Sequence, residues 1–182
     1  FVFGGSYTRT QNNKMFPIRT KGGIDLGVGK RNRKDIKANQ WRLEGHINHI
    51  FQLSPRSSFF VNNTTSMLIS DTYLENELFR FGGINSIRGF DENSIDASLF
   101  STFNTEYRLL LDNNIFIHSI VDLGYFENEP LSLKTELISF GFGLGIDTRG
   151  GLFRLLVANG RTAGQQFNFS SSKIHISISS RF

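Results

Sequence analysis

Apolar and polar residues alternate along most of this chain with a period of two. Alternate side chains of a β-strand point to opposite faces, so this pattern predicts strands with one apolar and one polar face. Segment 139–147 shows it clearly, because glycine, serine and aspartate fill one face and large apolar residues fill the other. The apolar face consists of Phe140, Phe142, Leu144 and Ile146. The sequence therefore predicts an all-β fold.

Nine segments follow this pattern, and most are about as long as the 9–11 residues with which a tilted strand crosses a bilayer. They span 1–10, 22–31, 40–53, 57–69, 98–111, 114–126, 137–147, 151–159 and 166–182. The connections are either short, at 54–56, 112–113 and 148–150, or long, at 32–39, 70–97, 127–136 and 160–165. Short turns at one end and long loops at the other are typical of outer-membrane barrels.

The first connection, 11–21, does not follow that rule, and we expect its Met15-Phe16-Pro17 to pack against the strands. The odd number of strands is a second exception, because bacterial single-chain barrels have even numbers and an open edge cannot lie in lipid. Three explanations remain open. The chain is the C-terminal part of a larger barrel, the count is wrong by one, or several copies assemble together.

Composition narrows the possible functions. The chain has 20 basic and 16 acidic residues, a net charge of +4, and its basic cluster at 30–37 contains an aspartate and is interpreted as a solvated loop, not a nucleic-acid site. No apolar run approaches the roughly 20 residues of a membrane helix. No signal peptide is evident, so we expect that it has been removed or that the chain begins within a protein.

Catalytic and metal-binding patterns are also missing from the sequence. There is no cysteine, which excludes disulfides and thiolate metal sites. The four histidines, His46, His49, His118 and His175, lie on three predicted strands without ligand spacing, so we expect no metal site and no cofactor. The Gly-x-Ser-x-Gly motif of a hydrolase nucleophile is absent, and the chain is predicted not to be an enzyme.

The connection 70–97 is too long for a turn, since loops beyond about 12–15 residues in a compact domain are usually functional or disordered. Its centre, 79–90, contains closely spaced phenylalanine, isoleucine and glycine residues. The glycines permit tight backbone with positive φ, and the apolar side chains require burial. We therefore predict that this loop folds back into the interior of a barrel.

Arg88 lies at the centre of that loop, and a buried guanidinium needs a partner. The next two predicted strands carry Glu106 and Asp122 on their polar face. Arginine presents a planar fork that suits two carboxylates and that lysine does not reproduce. We predict that Arg88 attaches the loop to the strands through these two carboxylates, either as a brace or as a moving gate.

The stretch 82–90 resembles the inward-folded loop of the BamA-type outer-membrane assembly-factor superfamily, whose hallmark is Val/Ile-Arg-Gly-Phe/Tyr. Here that motif reads Ile87-Arg88-Gly89-Phe90. Other stretches resemble the family's motifs in the same order along the chain. They are the Phe-Pro strand entry at 16–22, the acidic Glu106, the Asp-x-Gly of Asp122 and Gly124, the Gly-x-Gly strand and return at 143–153, and the terminal Phe182.

The resemblance implies that residues 1–182 are the C-terminal part of a sixteen-stranded transmembrane antiparallel β-barrel. Four strands would precede the loop and five would follow it, with about seven more strands and periplasmic POTRA domains upstream. The seam between the first and last strands of the full barrel would open laterally. The last strand, with Ile174, Ile176, Ile178 and Phe182, would form one side of that seam. This strand has small and branched residues where the family often has a glycine and an extra aromatic.

The function implied is insertion or translocation of proteins at the bacterial outer membrane. The expected partners are the lipid bilayer, unfolded outer-membrane or secreted proteins, the POTRA domains and accessory lipoproteins, but not nucleic acid. Two alternatives stay open. The barrel could be the membrane anchor of a fused patatin-like lipase, as in some members of the family, or copies of the chain could form a homo-oligomeric pore.

Overall fold

The computed structural model describes residues 1–11, 18–33 and 36–179. Within these ranges the chain forms eleven β-strands. They are β1 (Val2–Gln11), β2 (Ile18–Arg33), β3 (Ile36–Ser54), β4 (Ser57–Ser70), β5 (Phe79–Phe81), β6 (Ile95–Ala97), β7 (Leu99–Asp112), β8 (Ile115–Asn128), β9 (Leu133–Thr148), β10 (Gly151–Thr162) and β11 (Lys173–Ser179). Three short 3-10 turns also occur, at Glu75–Glu77, Glu129–Leu131 and Phe169–Ser171.

Nine of these strands form one antiparallel sheet in chain order, from β1 through β4 to β7 and on to β11. The two remaining strands, β5 and β6, pair with each other inside the long connection between β4 and β7. The predicted all-β fold and the nine-strand count are therefore confirmed. Over the described residues β1 pairs with β2 and β11 with β10, so both are edges and the sheet does not close on itself.

Several predicted boundaries are wrong. The predicted loop 32–39 is mostly strand, because β2 and β3 remain paired up to Arg33 and Ile36. The predicted loop 127–136 shrinks to 129–132, because β9 begins at Leu133. Ladder hydrogen bonds join backbone groups, so a strand continues through residues whose side chains are polar on both faces. Alternation cannot reveal those parts of a strand.

The last strand is shorter than predicted and begins at Lys173 instead of 166. Asn168 explains the difference, because its side chain accepts a hydrogen bond of 3.1 Å from the Ser170 nitrogen and caps the 3-10 turn before β11. Two predictions lie outside the described residues. These are the packing of Met15-Phe16-Pro17 and the position of Phe182 in the last strand.

The two faces of the sheet have the opposite character from those of a water-soluble sheet. One face, here called the inner face, is partly covered by the connection 71–98, the inner loop. The buried residues of this face on β4 and β7–β9 are mostly polar. They include Ser58, Thr102, Asn104, Glu106, His118, Asp122 and Ser139. The opposite, outer face exposes large apolar side chains. Among them are Trp41, Ile47, Phe51, Phe103, Tyr107, Val121, Leu123, Phe140 and Phe142.

The hydrophobic core lies between the inner loop and the inner face. Phe81 of the loop stacks on Phe100 of β7 with the ring centroids 4.5 Å apart. Ile87 is fully buried in the same cluster, next to Phe126 and Leu137. The loop therefore packs against one face of the open sheet. In the described residues, no helix is both long and apolar enough to cross a membrane.

Candidate functional site

The loop backbone turns sharply on either side of the Ile87–Phe90 motif. Gly82 and Gly83 have φ of 115° and 92°, and Gly89 has φ of 82°, in the region that glycine adopts without steric cost. The Gly83 nitrogen donates a 3.0 Å hydrogen bond to the Ile87 carbonyl, and the Gly82 nitrogen donates to the Ser86 hydroxyl at 2.7 Å. These turns direct the side chains of Ile87 and Arg88 towards the sheet.

Arg88 contacts both carboxylates that the sequence assigned to it. Its Nε donates a 2.8 Å hydrogen bond to Asp122 Oδ2, and its Nη2 donates to Asp122 Oδ1, so this pair is bidentate. Its Nη1 donates to Glu106 Oε1. Its backbone nitrogen also donates to Asp122 Oδ2, at 3.0 Å. Arg88 is 3 % exposed and Asp122 is 0 % exposed, so these bonds are formed away from water.

The Arg88 guanidinium, which lies outside the strands of the sheet, remains charged in this setting. Burial by itself lowers the pKa of a guanidinium, because the charged form loses its hydration. The hydrogen bond to Asp122 and the charges of Glu106 and Asp122 outweigh burial here and raise the pKa of Arg88 above its ordinary value. The contact is therefore a charge-assisted one, which is stronger than a neutral hydrogen bond.

Glu106 belongs to a larger cluster than the sequence indicated. Arg108 Nη2 lies 2.7 Å from its carboxylate, and Arg154 Nη1 lies 4.0 Å away. The alternation placed Arg108 on the same face as Glu106, and that was a usable signal. Arg154 gave none, since it lies in an apolar run of β10 without alternation. In the described part of the chain, by contrast, Arg88 forms the one ion pair of Asp122.

Gly89 and Phe90 join the loop to β10 and β11, the last two strands in the order of the sheet. The Gly89 nitrogen donates a 3.2 Å hydrogen bond to His175 Nε2 on β11. The Gly89 backbone lies so close to β10 that an added Cβ would be 2.6 Å from the Gly160 nitrogen. A Cβ added to Gly160 would in turn lie 2.5 Å from the Phe90 ring. Sequence reasoning missed Gly160 and the contact of His175.

Gly124 supports the motif from β8. A Cβ at this position would lie 2.8 Å from Ile87 Cδ1, so the glycine leaves room for the fully buried Ile87. The Asp-x-Gly pair therefore serves two residues of the motif, with Asp122 holding Arg88 and Gly124 accommodating Ile87. Asn104 adds a contact that the sequence did not indicate, because its side-chain amide donates a 2.7 Å hydrogen bond to the Ser86 carbonyl.

The last described strand carries its apolar residues on the outer face. Ile174, Ile176 and Ile178 are all exposed there, and the other edge of β11 has no partner strand among the described residues. The histidines do not assemble into a metal centre. Among the described residues, no three His, Asp or Glu side chains are grouped so as to hold a metal ion.

Comparison with models of known protein families gives no match, and comparison with curated proteins gives none either. The resemblance to the BamA-type superfamily thus depends on the Ile87–Phe90 motif and its companion residues. Among these residues, Arg88, Glu106 and Asp122 form one arrangement, in which a buried arginine attaches the inner loop to two carboxylates of the sheet.

Proposed function

We propose that this chain is part of a transmembrane β-barrel of the bacterial outer membrane, and that the barrel inserts or translocates other proteins. The observation that carries the proposal is the distribution of side chains on the sheet, whose exposed face is apolar. A water-soluble protein rarely exposes a large contiguous apolar surface. Here the exposed apolar side chains extend over the outer face from β1 to β11. The buried polar side chains Asn104, Glu106 and Asp122 lie on the inner face, where they contact the inner loop.

One cluster of polar residues on the outer face is compatible with a lipid environment. Asn63, Thr65 and Ser101 lie together on that face and hydrogen-bond one another, with 2.8 Å between the Thr65 and Ser101 hydroxyls. Lipid offers no hydrogen-bond partners, so polar groups facing it must be satisfied internally. In a barrel that faces lipid with its outer side, this cluster needs no water.

Replacing Phe142 with Arg tests the membrane environment directly. Phe142 lies on the outer face near the middle of β9 and is 70 % exposed. A charged side chain near the bilayer midplane of a barrel costs about 2–4 kcal/mol. We therefore expect F142R to reduce the fraction of the complete protein that folds into lipid vesicles, as measured by protease protection and urea unfolding.

Leu131 provides the matched control, because it is also 70 % exposed but lies in the turn between β8 and β9. L131R is expected to change the free energy of unfolding by no more than about 0.5 kcal/mol, as is usual at a surface position. If the outer face contacts water, both substitutions will have equally small effects, and that result would reject the membrane assignment.

The unpaired edges of the sheet support the insertion part of the proposal. An exposed strand edge presents a row of free backbone donors and acceptors and can template another strand. The edge of β11 is free over the described residues, and the inner loop reaches β11 through the hydrogen bond from Gly89 to His175. We infer that an unfolded client protein adds its strand to β11 by β-augmentation.

Site-specific disulfide cross-linking tests this inference, and residues 1–182 contain no native cysteine that would compete with an introduced one. The complete protein with Ile176 replaced by Cys, reconstituted in vesicles, is expected to form disulfides with single-cysteine strands of an unfolded barrel client during insertion. Val121→Cys is the control. Both positions are exposed on the outer face, at 63 % and 48 %, but Val121 lies on the interior strand β8.

Three results would contradict the proposal in different ways. Equal cross-linking at both positions would mean that the edge of β11 has no special role. Vesicles containing the protein that insert the client no faster than empty vesicles would reject the insertion function. Cross-links between two copies of the chain, with none to the client, would favour the homo-oligomeric pore instead.

A further inference from the structure

A groove of about 570 Å³ lies on the outer face, at the end of the sheet from which the inner loop departs. It runs between the ends of β7, β8, β9 and β10, and its volume lies in the range of roughly 300–1,000 Å³ that is common for ligand sites. Its floor is apolar and includes Phe103, Leu123 and Ile138. The groove is separate from the Arg88 site, which lies on the opposite face of the same strands.

Two opposite charges, Arg161 and Glu136, line one rim of this groove. Arg161 pairs in register with Ile138, and Glu136 lies two residues before Ile138 on the same face of β9. Such diagonal neighbours are about 7–8 Å apart between Cα atoms. Among the salt bridges of the described residues, however, none joins these two side chains, so both charges remain available to a ligand.

The Arg161 side chain is held in place while retaining free donor capacity. Its Nη1 donates a 2.7 Å hydrogen bond to the Gln165 carbonyl, and its guanidinium lies 4.8 Å from the centroid of the Phe167 ring. Its Nε is buried and has no hydrogen-bond partner among the described residues, so the donor left accessible to a ligand is Nη2, which has no partner there either. A guanidinium with unsatisfied donors beside aromatic rings is well suited to bind a phosphate group.

The groove also lies where the outer face changes from apolar to polar. Tyr125 lines it, and its hydroxyl donates a 2.6 Å hydrogen bond to Glu127, which in turn binds Lys134 at 2.9 Å. Tyrosine and charged residues next to an apolar surface are typical of the level at which lipid headgroups meet the barrel. A ligand in this groove would therefore have its polar part at headgroup level and its apolar part against the floor.

We propose that this groove binds a membrane lipid with a zwitterionic headgroup, in which the phosphate contacts Arg161 and an amine contacts Glu136. The apolar floor would hold one acyl chain. Free phosphate fits less well, because it would leave the apolar floor empty and would be repelled by Glu136. The inference rests on the proposed location in the outer membrane, but not on the insertion of clients.

Native mass spectrometry of the complete protein in detergent micelles tests this site, with dioleoyl phosphatidylethanolamine as the probe. Wild-type protein is expected to retain one tightly bound lipid. Because a hydrogen bond to a charged group contributes about 1.5–3 kcal/mol, R161Q should weaken binding by about tenfold or more. E136Q should weaken it about twofold to fivefold, as expected for an exposed ion pair.

Arg149→Gln is the matched control, since Arg149 is an exposed arginine in the turn between β9 and β10, at the other end of the sheet. R149Q is expected to bind the lipid as tightly as the wild type. Equal affinity of R161Q and R149Q would overturn the proposal, as would equally tight binding of dioleoylglycerol, which has the same acyl chains and no phosphate. Competition by millimolar inorganic phosphate would show that the site is one for free anions.

The two proposals fail in distinguishable ways. If the protein folds into vesicles and inserts clients but R161Q retains the lipid, only the lipid site is wrong. If the lipid binds as expected but clients are not inserted, the barrel assignment stands and the insertion function is wrong. If the chain does not enter vesicles at all, both are wrong.

Discussion

Replacing Arg88 with Ala is expected to lower the free energy of unfolding of the complete protein by about 3–5 kcal/mol, because it breaks a buried ion pair from one side. Most of this loss comes from Asp122, whose buried carboxylate is 0 % exposed and would lose its ion pair. Of its present hydrogen-bond donors, only the backbone nitrogen of residue 88 would remain. Glu106 contributes less to the loss, because Arg108 still lies 2.7 Å from its carboxylate and keeps it paired. Urea unfolding in lipid vesicles measures the loss.

Arg80→Ala is the control for this prediction within the same loop. Arg80 pairs with Asp96 at 3.2 Å, but both side chains are exposed, so its loss is expected to cost no more than about 1 kcal/mol. The double variant with Arg88→Ala and Asp122→Ala should be more stable than the sum of the two single variants predicts, because it leaves no unpaired buried carboxylate. Equal effects of R80A and R88A would contradict the assigned role of Arg88.

Replacing Arg88 with Lys distinguishes the two roles expected of the Arg88 contact, a static brace of the loop and a gate that moves during insertion. Lysine keeps the charge but cannot form the bidentate contact with Asp122, so we expect a smaller loss of stability than in R88A. If the pair only braces the barrel, client insertion per folded molecule should equal that of the wild type. If the pair must open and close during insertion, the rate should change under conditions in which R88K is fully folded.

Replacing Gly89 with Ala is the second substitution with a large expected effect. A non-glycine residue at the φ of 82° found here costs about 1–3 kcal/mol. The new Cβ would also lie 2.6 Å from the Gly160 nitrogen and 2.8 Å from the Asn159 carbonyl carbon, both of which are backbone atoms that cannot rotate away. Overpacking adds about 1–3 kcal/mol. We expect the inner loop to separate from β10, which hydrogen exchange of the loop amides would detect.

Gly164→Ala isolates the steric part of that effect. Gly164 has almost the same φ, 79°, but an added Cβ would have nothing within 4 Å. G164A is therefore destabilised only by the strained backbone. The difference in the free energy of unfolding between the two variants measures the steric cost of the close approach of the loop to β10. If G89A and G164A were equally stable, the loop would not lie against β10 as described.

Part of the site could be predicted because its signals are local or periodic. Alternation placed Glu106 and Asp122 on one face, and a buried arginine between closely spaced glycines needed such partners. The observed contacts of Arg88 with both carboxylates agree with that reasoning. Arg154 could not be predicted, because the apolar run around it conceals which of its neighbours face inward.

The sequence by itself determined the all-β class, the nine strands of the sheet and, where apolar and polar residues alternate clearly, which side chains of a strand share a face. These depend on side-chain alternation within single strands. Tertiary structure alone decided the extent of the β2–β3 hairpin, the contact of Gly89 with Gly160 and His175, and the groove that contains Arg161. These features depend on which strands are neighbours and how closely their backbones approach. Distances between segments far apart in the chain are not encoded in any local pattern.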